Sequence, residues 1–466
     1  MYVAAAIPRT SIRQTALRSY PNASVGSSTW SRCAIVLPLA CLLIPRGADL
    51  QLGSIMIDCS RLTVAAFAVM AAQRVVSGAS RTRFGLPDVL MLVHVGLVAF
   101  SSIYHAGFGD GLECAIATTI DMGLAYFVAR VAIAEVRDYH FFLRAALALA
   151  AISGVFGIIE CLTGISPIRA VFHPFFPKVR DTYLHGERLG LFRASSTFRV
   201  DILFGLFCMM CAGLIVTMSP KRLNLRPSIY YALLGLTLLG LFSSLSSGPW
   251  LAMIMTLGLF AYDRILRKEK RRWKLMFAGL GVGFIVLALF SNRGPFRLII
   301  DYLSLNPMSG YVRLAMYDAV MALAPDNWLI GWGWEADWPR PEWYKWTSID
   351  CFYAVTFVRS GLFALAAILA FFVTTWWRMG RIPERAEAPL AEARAWVFTT
   401  VALAIAIITV DIFGNLVFWT FFLWGAGQCL LPQAPSHTQR RTGLRTASRP
   451  RTTNSTPPQQ PARPFR

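Results

Sequence analysis

Acid is scarce in this sequence. Its 466 residues hold 25 aspartates and glutamates against 45 lysines and arginines, a formal charge of +20. No acidic residue precedes Asp49 or follows Gln433. The apolar segments show no period-two alternation, which argues against barrel strands. Nine cysteines fall mostly inside apolar stretches and make no disulfide framework. Cys208 and Cys211 form a CxxC within the apolar run 204–216, which reads as a buried helix pair before it reads as a redox or metal site. His94, His105, His140, His173 and His185 lack metal-ligand spacing. No P-loop, glycine-rich dinucleotide motif or nucleophile elbow is present, so ATP-driven and cofactor-dependent chemistry is disfavoured and no metal or cofactor is implied. The absence of an internal repeat removes support for an inverted-repeat transporter.

What is abundant is apolar surface. The chain is 56% hydrophobic with a mean hydropathy of +0.51, more than a soluble protein could bury, so it reads as an all-α polytopic membrane protein. Apolar windows place about twelve spans, near 33–45, 57–76, 86–104, 112–134, 140–163, 199–218, 228–245, 249–266, 273–290, 349–377, 394–411 and 413–431. The last two could form one re-entrant pair. Residues 1–32 then form a basic cytoplasmic tail, although an organelle transit peptide would look similar. Residues 33–432 form the membrane domain, and 433–466 a disordered basic tail on the same side as the first. Basic connectors at Arg74, Arg81 and Arg83, at Arg137, at Lys221, Arg222 and Arg226, between Asp263 and Lys274, and at Arg378, Arg381 and Arg385 all fall on the cytoplasmic side. The positive charge therefore points to anionic headgroups rather than nucleic acid.

The opposite face receives two long loops, about 164–198 and 291–348, and the tight turn Ser246-Ser247-Gly248-Pro249. Within the second loop, apolar residues from Ser309 to Leu323 recur at helical spacing before Pro325, predicting a helix at the membrane surface. Trp334, Asp337, Trp338 and Arg340 follow. Their aromatic density suits sugar rings and the bilayer interface equally.

Arginines on that outer face run against the positive-inside rule. Arg193 and Arg199 precede a span and Arg313 lies on the surface helix; converging guanidiniums would suit a diphosphate, whereas single ones could simply snorkel. Asp350 stands where a span begins. It could cap that helix, or accept a proton from a hydroxyl if apolar surroundings raised its pKa. Arg359 falls on the opposite helix face from Asp350 and is a poor direct partner. Asp121 and Glu160 lie within or near spans, with no partner visible in the sequence.

Three stretches resemble the O-antigen ligase and polymerase family of bacterial membrane enzymes. They are Phe192-Arg193-Ala194-Ser195-Ser196-Thr197-Phe198 with Gly205; Ser243 to Leu251, with Ser247 where the family usually has arginine; and Gly310-Tyr311-Val312-Arg313, Gly331-Trp332-Gly333, then Asp350, Tyr353 and Gly361. The resemblance implies metal-independent, inverting glycosyl transfer from an undecaprenyl diphosphate-linked glycan on the periplasmic face of the inner membrane. The acceptor would be a growing glycan or lipid A-core, and a flippase and chain-length regulator would be companions. Arg193, Arg313 and Asp350 become the candidate catalytic residues; Arg199, Trp334, Asp337, Trp338, Arg340 and Tyr353 become the candidate substrate contacts. Ile349-Asp350-Cys351-Phe352 stands where the ligases carry an acceptor-assisting histidine, so polymerisation is at least as well supported as ligation. A transporter of lipid-linked saccharide and a non-catalytic assembly subunit are the competing readings.

Overall fold

Apolar side chains in lipid leave a backbone no hydrogen-bond partner but itself, and the described residues accordingly fold almost wholly into helices. The structure is a computed structural model and describes residues 29–52, 55–80, 82–179, 186–290, 307–333, 338, 340–346, 348–382 and 389–431. Most of the N-terminal tail, the whole C-terminal tail, Arg81, His185, Arg385, Trp334, Asp337 and the stretch 291–306 of the longer loop lie outside the described residues. In chain order the helices are α1 (Thr29–Ala40), α2 (Cys59–Val76), α3 (Leu86–Ala106), α4 (Leu112–Thr118), α5 (Ala125–Ala132), α6 (Val136–Thr163), α7 (Pro167–Phe172) and α8 (Asp201–Ile215). They continue with α9 (Pro227–Ser243), α10 (Ser247–Ile265), α11 (Arg272–Phe290), α12 (Pro307–Asn327), α13 (Phe352–Met379), α14 (Leu390–Ala406) and α15 (Asn415–Gly427). A two-stranded antiparallel ribbon, Leu50–Leu52 against Ile55–Ile57, is the departure from all-α among the described residues.

Among the described residues, four helical segments are long and apolar enough to cross a membrane: Cys59–Val76, Leu86–Ala132, Val136–Thr163 and Phe352–Met379. The chain is thus membrane-associated, but the expected twelve spans are not supported. Thr29–Leu43, Asp201–Ile215 and Pro227–Ser243 are apolar yet shorter, and α15 has only 13 residues. For α8 and α15, enclosure explains the difference. Every residue of α8 except Ile202 is buried, and a helix surrounded by other helices need not match the bilayer thickness that sets a lipid-facing one. Hydropathy windows register both environments alike. Cys208 and Cys211 are both wholly buried there, and both are free thiols.

Leu86–Ala132 is not a straight rod. The chain reverses at Gly107 (φ +76°), and α4 then approaches α3 so closely that a Cβ on Gly111 would sit 2.4 Å from the Ser102 carbonyl oxygen. Asp58 caps α2 by accepting from the Arg61 backbone N–H at 2.8 Å. Arg61 in turn donates to Asp121 through Nε at 2.9 Å and Nη2 at 2.6 Å. The partner that the sequence did not reveal for Asp121 is therefore an arginine 60 residues earlier.

Aromatic side chains fill the centre of the bundle. Trp419 meets Phe142 and Phe207 at 5.7 Å and 5.2 Å, and Trp424 stacks on Phe372 at 4.5 Å. One end carries the basic connectors, tied to buried acids. Arg130 meets Asp88 at 3.1 Å. Arg272 and Arg394 meet Asp263 at 2.8 Å and 3.5 Å. Arg222 and His140 meet Glu392 at 2.9 Å and 3.0 Å.

Candidate functional site

The other end gathers the candidate residues around three irregular segments. The first is the stretch before α8. Ser195, Ser196 and Thr197 are wholly buried, and a buried carboxylate explains how polar residues tolerate that position. Glu160, near the end of α6, accepts from the Ser195 N–H (3.2 Å), the Ser195 hydroxyl (3.0 Å) and the Ser196 N–H (2.7 Å). Arg169 of α7 donates to the Ser195 hydroxyl at 3.0 Å and to the Phe198 carbonyl. The Ala194 N–H donates to the Ser243 carbonyl at 3.0 Å, which joins this stretch to the turn that starts α10. Sequence reasoning left Glu160 without a partner; its partners are the serines of the arginine-bearing motif itself.

Arg193 emerges half-buried from this clamp and donates to Asp201 at the start of α8. Burial draws its guanidinium below the ordinary arginine value; Asp201 opposes that fall and the like charge of Arg188 adds to it. Its Nε is buried with no hydrogen-bond partner. Arg188 donates to the Leu245 carbonyl at 2.7 Å, so an arginine from a different segment reaches the turn whose Ser247 departs from the family pattern. Arg188 was not singled out in the sequence because it lies in no recognisable motif.

The second segment is α12 with the loop after it. The expected helix is present, though it runs past Pro325 to Asn327. Met316, Ala319 and Val320 pack with Trp338, Tyr344, Ala354 and Val358. Arg313 is half-buried on α12; burial lowers its pKa, and nearby Cys351 and Asp350 oppose that effect. Asp350 is exposed, so it lacks the apolar surroundings that the base role requires. It does not cap α13 through its side chain either: the cap residue is Cys351, which makes no side-chain cap bond.

Gly331-Trp332-Gly333 is a clasp on α13. That helix breaks at Gly361, where φ is +75° and a Cβ would lie 2.2 Å from the Leu329 carbonyl oxygen. The break frees carbonyls, and the clasp takes them: Trp332 N–H donates to Val358 O at 2.7 Å and Gly333 N–H to Arg359 O at 2.9 Å. Leu362 N–H donates in return to Trp328 O at 2.7 Å. Beside the clasp lies a narrow apolar crevice of about 10 Å³, room for about one water molecule, lined by Val320, Leu323, Trp328, Trp332, Trp338 and Phe357. Trp338 is thus buried beside a crevice rather than displayed on the surface. Arg340 reaches the Trp346 carbonyl at 3.5 Å. Tyr353 donates to the Ala404 carbonyl at 2.9 Å, which ties α13 to α14.

The third segment, 407–414 between α14 and α15, was expected to end one span and begin the next, or to form part of a re-entrant pair. It stands between the other two. Arg199 lies 5.9 Å over the Phe413 ring on one side, and Tyr317 donates to the Ile408 carbonyl at 2.6 Å on the other. The Phe352 N–H donates to the Ile407 and Val410 carbonyls, both at 3.2 Å. Asp411 at its centre is half-buried. Burial pushes its carboxyl up to about 7, with the Asp350 charge adding and the Arg359 guanidinium opposing. Arg359 is therefore a partner of Asp411 rather than of Asp350. Only the pairing of an isolated in-span arginine with a lone acid could have pointed to Asp411 from sequence.

Arg193 pairs with Asp201, while Cys351 and Asp350 act on Arg313, and Asp411 on Arg359, through their charge. Such an end can hold an anion on guanidinium forks and move one proton through a carboxyl that titrates near neutrality. No protein-family model and no curated protein matches the chain.

Proposed function

We propose that this chain is a glycosyltransferase of the O-antigen ligase and polymerase type, acting on an undecaprenyl diphosphate-linked glycan at the outer face of a bacterial inner membrane. The observation that carries the reading is the gathering of half-buried Arg193, Arg313 and Arg359 with Asp201, Asp350 and Asp411 at the end of the bundle opposite its basic connectors. Under the positive-inside rule those connectors face the cytoplasm together with both tails, and the paired end faces out.

Arg193 and Arg313 would receive the diphosphate, whose charge grows as the anomeric carbon–oxygen bond breaks. An acceptor hydroxyl attacks the opposite face of that carbon, its oxygen forms the new glycosidic bond, and its proton passes to a carboxylate. That base role fits Asp411 better than the exposed Asp350, because a carboxyl near 7 is matched to the task. The leaving group departs as undecaprenyl diphosphate, stabilised electrostatically by donors already in place.

The test is purified full-length protein in vesicles supplied with lipid-linked glycan and acceptor. New glycosidic product is the expected result. Movement of the carrier between leaflets without a new bond would identify a transporter instead, and neither activity would leave an assembly subunit.

A further inference from the structure

Two sulfurs meet at the end that carries the proposed glycosyl transfer, and that transfer uses neither. Cys41 directly follows α1 and Cys59 opens α2. Both thiols are free, and the Cys41 thiol donates to the Cys59 sulfur at 3.1 Å. They lie 18 residues apart in the chain and belong to no spacing motif, so the sequence alone does not pair them.

The contact is held from the α2 side. Asp58 accepts from the Ser60 hydroxyl at 2.6 Å and from the Arg61 N–H at 2.8 Å, which fixes the first turn of α2 and Cys59 with it. Thr63 donates to the Cys59 carbonyl at 2.9 Å, and its hydroxyl also lies 3.7 Å from the Cys41 sulfur. Cys41 therefore rests against two groups of one helical turn. Bond formation needs roughly 1 Å of further approach between the sulfurs. Cys208 and Cys211 are wholly buried, whereas Cys59 is half-buried and open to a reagent from solvent.

The loop between the two cysteines leans on the proposed catalytic end. Asn415 Nδ2 donates to the Ile44 carbonyl at 3.5 Å, and the Arg46 side chain occupies the space that a Cβ on Gly414 would need. A Cβ on Gly47 would lie 3.1 Å from the Lys178 carbonyl oxygen. The loop thus touches the segment that follows Asp411 and the long loop that leads to Arg193.

The geometry points to Cys41 and Cys59 as a disulfide-forming pair that staples residues 41–59 onto this end of the bundle. The oxidant is a disulfide-bonded compound. The Cys59 sulfur attacks one sulfur of that compound and displaces the other as a thiol; the Cys41 sulfur then attacks Cys59 and displaces the remaining half. One disulfide is reduced to two thiols, which carry away the two protons, and two protein thiols are oxidised to one bond. Disulfides persist in oxidising compartments such as a bacterial periplasm. Formation in the cell therefore rests on this end facing outward, as the proposed function has it, whereas the chemistry of the purified protein does not.

The experiment uses the full chain in phosphatidylcholine nanodiscs, reduced with dithiothreitol, freed of it, and treated with oxidised glutathione. Remaining thiols are alkylated with N-ethylmaleimide, and the peptides are read by tandem mass spectrometry. The expected result is a link between Cys41 and Cys59 of one chain, with a melting temperature roughly a few degrees above that of the reduced protein, the scale for closing a loop of this length. Dithiothreitol should reverse both. Cys33→Ser, which changes a nearby cysteine on α1, should keep the link and the rise; Cys41→Ser should abolish the rise. Both thiols alkylated after glutathione treatment, or Cys59 joined to glutathione or to another cysteine instead, overturns the proposal. A link that leaves the melting temperature unchanged overturns the staple. No glycan takes part, so failure here is distinct from failure of the transfer reading.

Discussion

Both ends of the bundle are built from arginines set against acids, yet the two differ in what the irregular backbone does. At the basic end short connectors join complete helices, and pairs such as Arg272 with Asp263 (2.8 Å) and Arg222 with Glu392 (2.9 Å) pin those connectors to the bundle. At the other end three irregular segments meet, α13 breaks at Gly361, and carboxylates sit on loops beside guanidiniums that burial disfavours. Residue composition alone would rank the basic end as the more active. Environment reverses that order, because the acids of the basic end are held in direct ion pairs such as Arg272 with Asp263, while Asp411 at the other end is shifted to about 7 and can exchange a proton near neutrality.

The sharpest way to break this contrast is Asp411. Its folded pKa of about 7 lies above the ordinary carboxyl value of about 3.9, so the group favours the folded state while protonated. That contribution is present below about pH 4 and is lost as pH rises through about 7. If Asp411 is the base, transfer rises over the same interval, because only the carboxylate accepts the proton. Asp411→Asn should remove the rising limb and lower the rate by roughly 10²- to 10⁴-fold. Its stability should lose the decline between about pH 4 and 7. Asp350→Asn should keep the limb. A pH–rate profile of the three proteins decides it, and an unchanged limb in Asp411→Asn returns the base role to another group.

Glu160 tests whether the outer end depends on a buried acid for its shape. Glu160→Ala leaves the Ser195 and Ser196 N–H groups and the Arg169 side chain without their carboxylate. Breaking such an arrangement costs about 3–5 kcal/mol. The expected outcome is a large fall in melting temperature, with faster amide exchange concentrated at Ser195 and Ser196. Exchange that speeds up equally at both ends would mean that the clamp is not local.

Arg313→Lys keeps the charge and discards the fork. A loss of about 10²- to 10³-fold in glycan transfer is expected, by analogy with the removal of one preorganised donor, and nearly as large as for Arg313→Ala. Full transfer by Arg313→Lys at normal membrane levels would falsify bidentate diphosphate binding.

How much of this was legible beforehand varies by element. The helical character was, because apolar composition without alternation permits little else in lipid. So was the helix bearing Arg313, because its spacing is local. The number of spans was not, since α8 and α15 are as apolar as a span but are enclosed by protein. Arg193, Arg313 and Asp350 stood out in the sequence by position and motif. Their partners did not: Asp201 for Arg193 is eight residues away but reads as the start of a helix, and Asp411 meets Arg359 only because a loop between α14 and α15 is folded toward the broken α13. Gly331-Trp332-Gly333 looked like a binding motif and proved to satisfy the backbone of a helix break. Short-range patterns predict elements; long-range pairings decide which charged groups become a site.

The smallest effect belongs to the basic end. Arg394 Nη1 lies 3.5 Å from Asp263, and its side chain is 26% exposed. Asp263 also accepts from Arg272 Nε at 2.8 Å, so deleting Arg394 does not strand the acid. Arg394→Ala should therefore cost about 1 kcal/mol or less, with the deficit shrinking as salt is raised from 0.05 to 0.5 M, roughly the range over which screening of exposed charges becomes strong. Glycan transfer should be unchanged within about twofold, on the scale of mutations that touch no reacting group. A salt-independent loss of several kcal/mol at Arg394 would show that Arg272 does not by itself satisfy Asp263.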